Sequence, residues 1–227
     1  MSDSTAVIFP AAGRSTRFGR NKLLEMLDGR SVIRRAVEPF LALSDVTQIL
    51  IATDDPEPLK KGLGDAVDPR IRFCPGGETR AHSVRSALGH VPTNVEWIAV
   101  HDAARPLVSC VLIGRIFVAA KQFGAAVPAL PVQLTIKQAT GPLPALVERT
   151  VPRQQLWAMQ TPQIMVRADL QAAFDRCPIP LDQVTDDVQL LELIGLPVYL
   201  VDGDERNLKI TTGQDLLLAD SILRTGI

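Results

Sequence analysis

The sequence predicts an α/β protein: a mainly parallel sheet covered by helices on both faces. Short β-branched or apolar runs alternate with longer segments of helical period along most of the chain, as βαβ units require. With 227 residues, 46% hydrophobic and 22% charged, the chain has the composition of a globular protein and the length to bury a continuous core. The rhythm breaks once, from Pro131 to about Pro152.

The elements follow in order. "AVIFP" is the first strand, "SVIRRAVEPFLAL" a helix, "VTQILIAT" a strand and "EPLKKGLGD" a helix. "IRFC" and "WIAVHD" read as strands flanking the helix "AHSVRSALGHV". "SCVLIGRIFVAAKQFG" supplies a helix ending near Gly124, and "AAVPAL" the strand after it. From Pro131 to about Pro152 the text is rich in Thr, Val and Pro with a Gly-Pro turn, which predicts a β-hairpin or arm. Such an arm exposes strand edges unless another surface covers them, so a homodimer contact is expected there. The rhythm resumes with helices around Ala168 to Arg176 and Asp186 to Ile194, the strand "PVYLV", and a helix from about Gln214 to Arg224. One domain, residues 1–227 with 131–152 as a β-arm excursion, is the expected organisation.

Composition excludes several function classes. Lys and Arg number 24 against 25 Asp and Glu, a formal net charge of −1, so no overall footprint for nucleic acid or anionic membrane exists. Any phosphate binding must be local. Cys74, Cys110 and Cys177 are odd in number and far apart, which argues against a disulfide framework or a zinc site and fits a reducing cytoplasm. "MSDST" lacks a basic leader region, and no apolar run approaches the roughly 18 residues a membrane span needs. A soluble cytoplasmic protein is expected.

Three loops carry the candidate chemistry. The first, "FPAAGRSTRFGRNK" from Phe9 to Lys22, holds two glycines, four cations and no carboxylate directly after a strand. It lacks the third glycine of a dinucleotide fingerprint and the Gly-Lys-Ser/Thr ending of a Walker loop. What remains is a small-residue turn whose N–H groups can approach an anion or a base edge, followed by Arg14, Arg17, Arg20 and Lys22. That suits a polyphosphate; a solvated basic loop is the bland alternative. The second, "WIAVHDAARP", runs a strand straight into His101, Asp102 and Arg105. Open α/β sheets bind ligands at the carboxyl ends of their strands, so these two loops should converge. Asp102 could coordinate a phosphate-borne Mg²⁺, or else cap a helix or pair with Arg105. The third, "PGGETRAHSV", turns on Gly76 and Gly77 into a helix; it suits main-chain recognition of a base with Ser83 in support, or an ordinary turn capped by Thr79.

Taken together, "PAAGRSTRFG…NK", "GGETRAHSV", "HDAARP", "PVQLTIK", "TVPRQQLW", "QTPQ", "TDD" and "NLKITT" occur in the order found in the methylerythritol-phosphate cytidylyltransferases, and the resemblance covers nearly the whole chain. It implies a Rossmann-like three-layer nucleotidyltransferase fold that dimerises through a projecting β-arm. It also implies transfer of a cytidylyl group from CTP to 2-C-methyl-D-erythritol 4-phosphate, releasing pyrophosphate with Mg²⁺. Residue by residue, Arg17 and Lys22 are similar to the basic pair that holds the triphosphate. Ala11, Ala12, Gly13, Gly77, Glu78 and Ser83 match positions around the cytidine, and Asp102, Ala103 and Arg105 the segment near ribose, metal and acceptor. Thr135, Thr161, Thr185 and Lys209 match the acceptor-phosphate side. Arg153 matches an arginine that the arm delivers into the partner's site. The chain departs from the family pattern at Asn21, Leu134 and Glu78, where a proline and two aspartates are common. An enzyme acting on another polyol phosphate, such as ribitol 5-phosphate, resembles the chain almost as well, and a noncatalytic nucleotide-binding regulator is the reading from another class.

Overall fold

The computed structural model describes residues 4–13, 18–66 and 68–226. In chain order the elements are β1 (Thr5–Pro10), β2 (Met26–Leu27), β3 (Arg30–Ser31), α1 (Val32–Leu41), β4 (Val46–Ala52), α2 (Pro56–Leu63), β5 (Ile71–Cys74), α3 (Arg80–Leu88), β6 (Trp97–Val100) and α4 (Cys110–Phe123). Then come β7 (Ala125–Pro131), β8 (Ile136–Ala139), β9 (Val147–Val151), β10 (Trp157–Met159), β11 (Gln163–Val166), α5 (Arg167–Asp175), α6 (Asp187–Leu193), β12 (Tyr199–Asp202) and α7 (Gly213–Thr225). The seven α-helices among the described residues lie where the periodicity placed them, within a few residues.

The main sheet runs β5-β4-β1-β6-β11-β7, with β12 on the far side of β7. Ala126 pairs with both Ile164 and Tyr199, and Ala129 with both Met159 and Asp202, so β10 and β11 descend one side of β7 and β12 the other. β1, β4, β5 and β6 are mutually parallel, as are β7 and β12. β11 is antiparallel to β6 and β7 and joins the two halves. This antiparallel insert is absent from the sequence reading, because "QIMV" is short and follows Pro162.

Alternation along β1 fixes the two faces. Val7 and Phe9 pack with α1, α2, α4 and Ala219 of α7; Ala6 and Ile8 pack with α3, α5 and α6. Burial of these apolar side chains on both faces is what holds the layers together. Helices α1, α3, α4 and α6 begin on side-chain caps, with Ser31, Thr79, Ser109 and Asp186 each accepting a backbone N–H of the first turn. Gly124 ends α4 with φ at +89°, a conformation that glycine tolerates best.

The expected arm is a hairpin. β8 and β9 pair antiparallel as a sheet of their own, with Ile136 opposite Val151, and the excursion is rooted where Pro131 of β7 pairs with Trp157 of β10. Leu134, Leu143 and Leu146 on it are exposed. The three cysteines are free. Among the described residues no helix is long and apolar enough to cross a membrane.

Candidate active site

The sheet order reverses between β1 and β6: from β1 the chain builds outward through β4 and β5, then returns to the other side of β1 as β6. A crevice opens at the carboxyl ends of strands at such a point. There a cavity of about 400 Å³ is lined by Ala11–Gly13 and Lys22 after β1, Gly77–Arg80 and Ser83 after β5, Asp102–Ala104 after β6, and Lys209 and Thr211 after β12.

Close packing of the loops is built into the sequence. A Cβ on Gly76 would stand 2.4 Å from the Cβ of Ala12, and one on Gly77 2.6 Å from that of His82. Glycine therefore lets the β5–α3 turn lie against the first loop and against its own helix. Ser83 ties that turn down: its Oγ accepts the Gly77 N–H at 3.0 Å and donates to Thr79 O at 3.0 Å. On the other side, Asn21 Oδ1 accepts the Leu23 N–H at 3.1 Å and caps the short 3-10 turn that carries Lys22. Lys22 Nζ donates to Ile210 O at 2.7 Å, and Ile210 N in turn donates to Ala104 O at 2.8 Å. Lys22 and Lys209 thus stand in the wall of one cleft.

Asp102 is the electrostatic centre. It is 8% exposed; Oδ1 accepts Arg80 Nε at 3.0 Å, Oδ2 lies 2.8 Å from Lys209 Nζ, and Arg105 Nε is 3.8 Å from Oδ2. Burial alone would raise its pKa, but Arg80, Lys209 and Arg105 outweigh it and hold the carboxyl well below the usual range. The alternative Asp102–Arg105 pair is therefore only a loose contact. Arg105 instead donates Nη1 to Asn207 O at 2.6 Å and Nη2 to Met159 O at 3.3 Å.

Beneath Asp102 a buried chain of hydrogen bonds fixes the turn. Thr161 Oγ1 accepts the Asp102 N–H at 3.0 Å and lies 3.0 Å from His101 Nδ1, while His101 Nε2 lies 3.2 Å from Arg105 O. The carbonyl can only accept, so Nε2 carries the proton, and Thr161 donates to Nδ1 of a neutral ring. Burial pushes the imidazole down to about 4, consistent with that form.

Of the residues expected in the site, Ala11, Ala12, Gly13, Lys22, Gly77, Glu78, Ser83, Asp102, Ala103 and Lys209 line the cavity. Arg105 and Thr161 lie buried behind Asp102 instead of in the wall. Thr135, Arg153 and Thr185 are exposed and outside the cavity. Arg153 donates to the carbonyl of Gln133 at the root of its own arm, and Thr185 to Gln189 Oε1 at 3.0 Å. Arg17 lies outside the described residues. Sequence reasoning missed Arg80, which bridges Asp102 to the buried Asp187 with Nη2 2.7 Å from Oδ2. The signal was present in "GGETR" and "TDD", but the pairing spans 107 positions and has no local pattern.

No group of three or more His, Cys, Asp or Glu able to hold a metal exists among the described residues. Asp102 already has a cation on each oxygen. The donor set does not suit a resident metal; it suits one that arrives on phosphate oxygens and takes a single carboxylate from the protein.

A mostly parallel sheet, a glycine-lined pocket at its switch point and two lysines facing one cleft define an α/β nucleotidyltransferase. The sequence matches the family described as IspD: 2-C-methyl-D-erythritol 4-phosphate cytidylyltransferase over residues 5–225, and the chain belongs to that family. It is 40% identical to the 2-C-methyl-D-erythritol 4-phosphate cytidylyltransferase of Gloeobacter violaceus over 96% of both chains, and 36% identical to that of Dehalococcoides mccartyi over 100% and 99%. The crystal structure of the Francisella tularensis enzyme of that name superposes with a TM-score of 0.82 at 31% identity, covering 96% of this chain and 99% of the other.

Proposed function

We infer that the protein transfers the cytidylyl group of CTP to 2-C-methyl-D-erythritol 4-phosphate, forming 4-diphosphocytidyl-2-C-methyl-D-erythritol and pyrophosphate. The observation that carries this reading is the meeting of Lys22 and Lys209 on one cleft that the glycine turns and Asp102 also line. An acceptor phosphate monoester has a second pKa of about 6 and is largely dianionic near neutrality, so the chemistry needs no general base. Of the carboxylates lining the cleft, Asp102 is already paired with Arg80 and Lys209. The obstacle is repulsion between two polyanions, which fixed cations relieve.

Lys22, with Arg17 from the same loop, holds the triphosphate and stabilises charge growing on the α-phosphoryl oxygens. The turns Ala11–Gly13 and Gly77–Glu78 surround the base and ribose, with Ser83 holding the second turn and Ala103 closing the floor. Lys209 leaves Asp102 to take the acceptor phosphate and set it in line. Asp102, Arg105 and Thr161 hold that half of the cleft in shape. Asp102 would supply the one protein ligand of a Mg²⁺ brought by the triphosphate, an ion that neutralises phosphate charge when bound.

The acceptor side extends beyond one chain in this reading. Thr135 and Arg153 sit on the arm and Thr185 before α6, all exposed, so a second copy would bring its arm, with Arg153, to this cleft. Exposed Leu143 and Leu146 at the arm tip support a homodimer. The reaction needs neither nucleic acid nor membrane, and free cysteines fit a cytoplasmic setting.

The test is pyrophosphate release from CTP and Mg²⁺ with a panel of acceptors. Release with 2-C-methyl-D-erythritol 4-phosphate is expected to exceed that with ribitol 5-phosphate by orders of magnitude. Equal rates, or CTP binding with no release for any acceptor, would overturn the reading.

A further inference from the structure

Arg80 stands between the nucleotide half of the cleft and its acceptor half. It opens α3, directly after the glycine turn, and its guanidinium faces two carboxylates from distant parts of the chain. Nε meets Asp102 Oδ1 at 3.0 Å, and Nη2 lies 2.7 Å from Asp187 Oδ2, an ion pair outside hydrogen-bond alignment. Asp187 begins α6 and is fully buried; among the described residues its Oδ1 has no hydrogen-bond partner. Its backbone is fixed, because Gln163 Oε1 accepts the Asp187 N–H at 2.9 Å and Gln163 Nε2 donates to Asp186 Oδ2 at 3.0 Å.

The three cations around Asp102 differ in their freedom. Arg80 is anchored at both ends by carboxylates. Arg105 is held by two carbonyls and lies 3.8 Å away. Lys209, with its side chain 42% exposed, is the one able to leave. How tightly it is held depends on how much of the Asp102 charge the others already satisfy, since an ion pair in a poorly solvated pocket strengthens when competing partners are removed.

We propose that Arg80 is a positioning residue for the acceptor: by satisfying Asp102 from Oδ1, with its own place fixed by Asp187, it leaves Lys209 free to move from Oδ2 onto the acceptor phosphate. The inference rests on the reading of Lys209 given above. Arg80 touches neither reacting group in this arrangement; it acts through Asp102.

The test uses Arg80→Gln and the double variant Arg80→Gln/Asp187→Asn, the second removing the buried carboxylate that the first leaves unpaired. In Arg80→Gln the KM for the acceptor should rise about tenfold and kcat fall by a similar factor, while the Kd of CTP from calorimetry moves by less than about threefold. The double variant should recover thermal stability but not the acceptor KM. A second readout needs no turnover: acetylation of the Lys209 amine by an N-hydroxysuccinimide ester, followed by mass spectrometry, should slow several-fold in both variants. Should the single variant fail to fold, the double variant carries both measurements. A raised Kd for CTP with an unchanged acceptor KM would make Arg80 a nucleotide contact and overturn the proposal. So would restoration of the acceptor KM by Asp187→Asn, which would leave Arg80 a purely structural role, or unchanged Lys209 acetylation. Failure of the wild type to release pyrophosphate would strike the functional reading alone, because the acetylation result stands apart from it.

Discussion

The cleft and the arm solve opposite problems. In the cleft, charges lie in a poorly solvated pocket and find partners in the same chain: Asp102 has Arg80 and Lys209, Lys22 has the Ile210 carbonyl, and Arg105 has those of Asn207 and Met159. In the arm, the paired strands expose nearly every residue, and their side-chain contacts, Lys137 to Thr150 and Arg149 to Gln138, lie on the surface. A two-stranded ribbon without a covered face is marginal in water by itself. The difference teaches where self-sufficiency ends: Asp102 finds its cations within one chain, whereas the arm leaves Leu143 and Leu146 about 90% and 82% exposed. In the dimer proposed above, a second copy covers it.

Substitutions in the two regions should therefore fail differently. The largest effect is expected from Lys22→Ala, which should lower turnover by about 10²-fold or more while the melting temperature stays close to that of the wild type. Near-normal turnover would remove Lys22 from the chemistry. Leu143→Asp combined with Leu146→Asp should do the reverse within one chain: circular dichroism unchanged, but a sedimenting dimer converted to monomer and activity reduced about tenfold. A dimer that survives both aspartates would show that the tip is not the contact. Arg153→Ala should keep the dimer and raise the acceptor KM by about tenfold; an unchanged KM would break the link between arm and cleft.

His101 offers a test by pH. Its folded pKa of about 4 lies below the unfolded value of about 6.5, so the folded state favours the neutral ring. The stability this confers is complete above about pH 6.5 and is lost as pH falls toward 4, in total about 3 kcal/mol. Urea unfolding of the wild type should weaken over that window, and His101→Gln should flatten the curve. Parallel curves would assign the pH dependence elsewhere. The smallest effect belongs to Arg149→Ala in the arm, where losing an exposed contact should change stability by less than about 0.5 kcal/mol in the same titration.

Where the chain's signals were local, the sequence was enough. The helices carried period and caps, as in Ser109 before α4 and Thr79 before α3, and the loops after β1, β5 and β6 could be assigned to one edge because parallel strands put them there. Signals that depend on distant partners were illegible. β11 is defined by the neighbours it separates, and four residues after a proline cannot announce that. Arg80 looks like any first-turn arginine until Asp102 and Asp187 arrive beside it. Thr161 was expected to face the acceptor, yet its hydroxyl is already committed to Asp102 and His101. Only the folded arrangement shows that a residue is fully spoken for.

The resting positions of the cations have a consequence for selectivity. Because Lys22 and Lys209 each rest on an oxygen of the protein itself, any incoming anion must first outbid that oxygen. A lone carboxylate, with a single charge and few contacts, gains little by displacing them. A triphosphate engages several donors at once and clears the threshold. The same geometry thus acts as a filter against the crowd of small anions in its surroundings.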